Sequence, residues 1–137
     1  MRAVDTNVLV RLLTRDDEKQ VAAAEAFVEN GAWVPHLAIA EATWVLASVY
    51  DKEPPVIARA IEMLLEHQQL TIQDADAVAA AVAQYRRRPK AGFSDCLLVE
   101  IARKEITRAR HWQSPELVDL IGRAEARGIG EPGVKSF

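Results

Sequence analysis

The chain has 137 residues, half of them hydrophobic and 27% charged, which is enough for one core-bearing domain and too apolar for a disordered segment. No apolar run reaches the roughly 18 residues that a membrane-spanning helix needs, and the single cysteine, Cys96, excludes an internal disulfide and a cysteine-rich zinc site. Seventeen basic against twenty acidic side chains leave a net charge of −3, without the overall positive footprint common among nucleic-acid binders.

In chain order, MRAVDTNVLVRLL places Asp5 where a secretory signal would need an unbroken apolar stretch. No small-residue cleavage site follows, so a cytoplasmic location is expected. Ala3 and Val4 read as the end of a short buried strand. Val8, Leu9, Leu12 and Leu13 then recur at helical spacing, which leaves Asp5, Thr6 and Asn7 at the junction. Thr14 and Asp17 have capping-box spacing ahead of a second helix, whose apolar face is Val21, Ala24, Phe27 and Val28 and which Gly31 ends.

Ala32 to Pro35 suits a second short strand. The segment LAIAEATWVLASVY, from Leu37 to Tyr50, is helical in pattern and apolar around most of its circumference, so burial is expected. Pro54 and Pro55 suit the first turn of another helix with a stripe of Ile57, Ile61, Leu64 and Leu65. A brief strand at Leu70 to Ile72 precedes an alanine-rich helix, Ala75 to Arg87, which ends in basic residues as the helix dipole favours. After a turn at Pro89 to Gly92, Ser94 suits the cap of a helix through Leu97, Leu98, Ile101 and Ala102, with Asp95 in its first turn. No repeat, low-complexity tract or flexible linker divides the chain, so a single domain over residues 1–137 is expected. Short strands alternating with longer helices predict an α/β fold around a short parallel sheet with helices on both faces. In such a sheet, ligands bind beyond the carboxyl ends of the strands where strand order reverses, and Asp5 falls at such an end.

The charge is unevenly distributed. Between Arg86 and Arg110 there are eight basic residues and three acids, a local +5 that leaves −8 for the rest. Arg86, Arg87, Arg88 and Lys90 are the candidate phosphate-holding residues within this run, and a merely solvated basic surface is the alternative. The three histidines, His36, His67 and His111, are too dispersed for a metal spacing and read as surface or capping residues. Trp33 and Trp44 are expected in the core or an interface, whereas Trp112, beside the basic run, is a candidate contact for RNA or a partner.

Three carboxylates sit where a purely structural account is strained. Asp5 directly follows a buried strand, Glu41 interrupts the apolar pattern between Ile39 and Trp44, and Asp95 opens an amphipathic helix beside Phe93. An unpartnered carboxylate is expensive to bury, so each needs a reason. Asp5 also suits a cap, Glu41 a solvent-facing stripe, and Asp95 the favourable position at a helix's positive end. If the three converge, their repulsion calls for basic groups, raised pKa values or a cation. Oxygen-only ligation without His or Cys would select a hard ion, Mg²⁺ or Mn²⁺, suited to hydrolysing a phosphodiester.

The segments VDTNVLVRLL, AIAEATWVL and AGFSDCLLVEIAR, with Asp5, Glu41 and Asp95, resemble in order and approximate separation the first three acidic motifs of the PIN-domain family, and within it the VapC-type toxins of toxin–antitoxin pairs. The likeness spans about residues 1 to 105. It implies a three-layer α/β/α fold, a metal-dependent endoribonuclease acting on RNA, Asp5, Glu41 and Asp95 as catalytic, Mg²⁺- or Mn²⁺-holding residues, homodimerisation, and inhibition by a small antitoxin protein. Thr6 and Asn7 would orient Asp5, and Ser94 would stand beside the metal. The C-terminal portion, residues 108–130, departs from the pattern. The family's further strand with a fourth acid has no counterpart, PELVDLIGRAEARG reads as a helix, and Asp119 is the nearest candidate for the missing ligand. PGVKSF resembles the family's closing strand. With that acid gone, the alternative function is a catalytically weakened or inactive dimer that binds an antitoxin or another protein.

Overall fold

The computed structural model describes residues 1–112 together with Asp119, Gly122, Arg123 and Ala126. Its elements are β1 (Arg2–Ala3), α1 (Thr6–Thr14), α2 (Glu18–Val28), β2 (Ala32–Val34), α3 (His36–Ser48), α4 (Pro54–Glu66), β3 (Leu70–Ile72), α5 (Ala75–Arg87) and α6 (Phe93–Trp112), with a 3-10 turn at Pro89–Ala91 before α6. The α/β class expected from the alternation of short apolar runs and helical periods is the one found.

The three strands are parallel and ordered β1-β2-β3, with Ala3, Trp33 and Thr71 in register. No reversal of strand order occurs among the described residues, so β1 is an edge strand there. One face of the sheet is buried through Ala32, Val34, Leu70 and Ile72. The opposite row is not: Ala3, Trp33 and Thr71 are exposed. Two expectations change accordingly. The first strand is not buried, because only Val4 beyond it enters the core, while the Arg2 guanidinium lies over the Phe27 ring at 3.9 Å. Trp33 is not a core residue, because its position alternates with the inward-facing Ala32 and Val34.

The helices surround a core that includes Leu9, Val34, Ile39, Ile57, Ile61 and Val78. Helix α1 packs on α3, α4 on α5, and α5 on α6. Local chemistry sets the boundaries. The second helix is capped by Asp17, whose side chain accepts from the amides of Lys19 and Gln20. Thr14, expected as part of that cap, instead ends α1 and turns its hydroxyl back to the Val10 carbonyl. Gly31, at φ +93°, makes the turn into β2 in a region that side chains disfavour. Helix α6 starts two residues earlier than a cap at Ser94 would give, at Phe93, so Ser94 lies inside its first turn. Where the family pattern would leave the helix for a strand, α6 runs on to Trp112.

Helix α3 corrects the expectation of a buried helix. Ala38, Ile39, Ala42, Thr43 and Leu46 face inward, but Leu37 and Trp44 are 63% and 66% exposed. Its composition is apolar around most of its circumference, yet only one side is buried.

Candidate functional site

Asp5 lies just beyond β1, and its role is first of all local. It is the N-cap of α1, with Oδ1 accepting from the Val8 amide at 3.0 Å. This bond satisfies an orphan amide of the first turn and leaves Oδ2 without a partner among the described residues. Glu41 projects from the second turn of α3, the helix that follows β2. The two are joined by the residue between them: the Thr6 hydroxyl donates to Glu41 Oε2 at 2.6 Å, across 35 positions of sequence. A hydroxyl-to-carboxylate bond of this length is charge-assisted and strong. It draws Glu41 to the positive end of α1 and leaves Oε1 without a partner among the described residues. The Thr6 hydroxyl is thus bonded to Glu41, and the hydrogen bond to Asp5 comes from the Val8 amide.

Asp95 stands exposed in the first turn of α6. Among the described residues it has no hydrogen bond or ion pair to Asp5 or Glu41. Its nearest electrical consequence is on Cys96: burial pushes that thiol's pKa up, and Asp95 and Glu100 push in the same direction while Arg88 opposes them. Arg88, in the basic turn, is thus within electrostatic reach of the start of α6. Asn7 and Ser94 are exposed and make no side-chain hydrogen bond among the described residues. Asp119 is exposed and paired with Arg123 at 2.8 Å. Its backbone is helical, as expected, while most of PELVDLIGRAEARG, all of PGVKSF and the side chains of His111 and Trp112 lie outside the described residues.

The basic run divides into two groups. Arg86 is engaged by Glu62 of α4. Arg103 faces Glu100 at 4.0 Å, and Arg108 faces Glu105 at 3.6 Å. Arg87, Arg88 and Lys90 are exposed, with no carboxylate within ion-pair distance among the described residues, so they retain charge to offer a phosphate. His67 has the capping role expected of it, its Nδ1 accepting from the Gln69 amide.

Two features were missed in the sequence. Glu100 is only 9% exposed, and the signal was its spacing from Phe93 and Leu97, which places it on the same inward stripe of α6. Lys104 is clasped by Asp74 at 2.8 Å and Asp76 at 3.0 Å, tying α6 to the start of α5. Asp74 sits in the left-handed region at φ 49°. The hydrogen bond from Lys104 lowers the Asp76 pKa, and the bonds to Asp74 and then Asp76 raise that of Lys104. The depressed carboxylate contributes stability above its ordinary pKa of 3.8, and that contribution is lost as pH falls through the folded value. The raised ammonium contributes below its ordinary 10.5, and that contribution is lost as pH rises through the folded value. Lys104→Met should therefore lower the melting temperature at neutral pH and flatten both the acid and alkaline limbs of a melting profile. Limbs as steep as those of the wild type would disprove the linkage.

Among the described residues, no group of three or more Asp, Glu, His or Cys side chains stands close enough to hold an ion. The donor chemistry of Asp5, Glu41 and Asp95 nevertheless fits a hard divalent cation, since all are exposed carboxylates and the first two each keep one oxygen uncommitted.

The domain is a parallel α/β one in which Asp5, just beyond the first strand, is followed by a threonine whose hydroxyl is bonded to a glutamate of the helix after the second strand. The chain belongs to the PIN domain family, whose sequence pattern matches residues 2–107. Members of this family are generally nucleases that bind RNA and use divalent metal ions. No curated protein and no solved structure matches the chain. Among the described residues, no helix is long and apolar enough to cross a membrane.

Proposed function

We propose that this chain is a Mg²⁺- or Mn²⁺-dependent endoribonuclease, the toxin of a VapBC-type pair, which acts as a homodimer in the cytoplasm and is held inactive by a small antitoxin protein. The reading rests on family membership and, above all, on the Thr6–Glu41 bond, which joins two of the three acidic motifs at the head of α1. Asp5, Glu41 and Asp95 would hold the ion, which when bound supplies Lewis-acid polarisation of the phosphodiester and a more acidic water. Thr6 holds Glu41 in place, Asn7 and Ser94 flank the acids, and Arg87, Arg88 and Lys90 hold the RNA backbone, with Arg86 partly committed to Glu62.

The test is cleavage of an RNA by antitoxin-free protein. Cutting in Mg²⁺ that EDTA stops and added Mg²⁺ restores is the expected result. A second reading, a binding module without catalysis, is favoured by the pairing of Asp119, the candidate fourth acid, with Arg123. Absence of cutting in both Mg²⁺ and Mn²⁺ would decide for it. Arg87→Ala should weaken RNA binding and reduce the slope of log affinity against log salt by about 1. An unchanged slope would return the basic turn to ordinary solvated surface.

A further inference from the structure

Trp44 is a large, flat, apolar side chain with two-thirds of its surface in water, on a helix otherwise sorted into a buried and an open side. It lies three residues after Glu41, so the two side chains are neighbours on the same face, about 5–6 Å apart at Cβ. Leu37, four residues before Glu41 and 63% exposed, continues the stripe on the other side. The sole charged group of α3 is thus flanked, one turn either way, by uncovered apolar surface, and that group is the one pinned by Thr6 to the head of α1.

We propose that Trp44 is a base platform: an unpaired nucleobase next to the phosphate held near Glu41 stacks on the indole, with Leu37 as apolar support for the neighbouring nucleotide. The proposal rests on the nuclease reading for the identity of the ligand. It adds a residue that selects where along a strand the enzyme engages. Stacking tolerates any base, because every base has a π face, but it requires that the base be free of its own helix. The basic turn supplies backbone affinity without sequence information, so the indole provides the contact that distinguishes an open strand from a paired one. Continuity with Glu41 favours a base over a protein partner. Leu37 and Trp44 do not form an unbroken apolar patch, because the charged Glu41 lies between them on the exposed face of α3.

The experiment measures binding of a 12-nucleotide single-stranded RNA containing one 2-aminopurine, with Ca²⁺ in place of Mg²⁺ so that a divalent ion can still hold the phosphate beside Glu41, and with the length of the RNA checked after each titration. Wild-type protein should quench the probe on binding. Trp44→Ala should bind about 5- to 150-fold more weakly and leave the probe bright, and Trp44→Phe should restore most of both signals. A duplex of the same sequence should bind wild type and Trp44→Ala alike. Equal affinity and equal quenching by wild type and Trp44→Ala would overturn the proposal, as would unchanged RNA binding accompanied by a lower oligomeric state in sedimentation, which would assign Trp44 to a protein contact. Quenching that depends on Trp44 in a protein that never cuts RNA in Mg²⁺ would leave the platform standing and defeat the nuclease reading instead.

Discussion

Asp5→Asn should abolish metal-dependent RNA cleavage, by at least about a hundredfold, and leave the melting temperature nearly unchanged. The two halves of that expectation have separate causes. Asparagine keeps an acceptor oxygen for the Val8 amide and caps a helix about as well as aspartate, so α1 retains its first turn. It removes the negative charge that a hard cation requires. Asp5→Ala would confound the two effects, because the lost cap alone costs about 1 kcal/mol. The companion substitution is Thr6→Val, isosteric but without the donor that holds Glu41 at 2.6 Å. Residues that orient a metal ligand are typically worth about 10–100-fold, so Thr6→Val should fall in that range, with Thr6→Ser restoring most of the loss. Cleavage by Asp5→Asn at the wild-type rate, measured with and without Mg²⁺, would remove the acid from the proposed chemistry. Full activity in Thr6→Val would show that the Glu41 bond is structural only.

The elements were legible where local rules suffice. The proline pair opening α4, the glycine at the turn into β2 and the basic end of α5 each determine a boundary within one peptide. The sequence was less informative about which sides of an element are covered, since that depends on what packs there. The segment Leu37 to Tyr50 has apolar residues around most of its circumference, so periodicity could not reveal that Leu37 and Trp44 would face water. Likewise Trp33 alternates correctly for a strand, but alternation does not say whether a second layer covers its face. In the candidate site, the acids stood out as misfits in apolar surroundings, and their order along the chain carried the family resemblance. The bond between them did not stand out, because Thr6 and Glu41 are distant in sequence and meet only after α1 and α3 pack. The pairings of Arg86 with Glu62 and of Lys104 with Asp74 were hidden for the same reason. A charge run is visible in sequence, but its partners on other helices are not.

Phe93→Ala should be the most destabilising of the single substitutions considered, by about 3–5 kcal/mol, a large share of the roughly 5–15 kcal/mol that holds a domain of this size together. Phe93 is 3% exposed at the first residue of α6, and its ring meets the Tyr85 ring edge-on, with centroids 6.1 Å apart and planes at 77°. Tyr85 is itself buried on α5. Truncation therefore removes the transfer energy of a phenyl ring, opens a cavity between the two helices and ends an aromatic contact worth about 0.5–1.5 kcal/mol. The damage falls at the turn that carries Asp95, so structure and site are coupled here. Cys96, the single cysteine and 7% exposed, reports that coupling directly. Its thiol is shielded by the same packing and its pKa is held up by burial first and by Asp95 and Glu100 next. In Phe93→Ala, the thiol should become hydrated, its pKa should fall toward the ordinary range, and its reaction with an aromatic disulfide reagent should accelerate well before global unfolding. Phe93→Leu should retain most of the apolar volume and cost markedly less. If Phe93→Ala left both the denaturant midpoint and the Cys96 reaction rate at wild-type values, the α5–α6 contact would not be what anchors the start of α6, and the position of Asp95 would have to be set by the remainder of the helix.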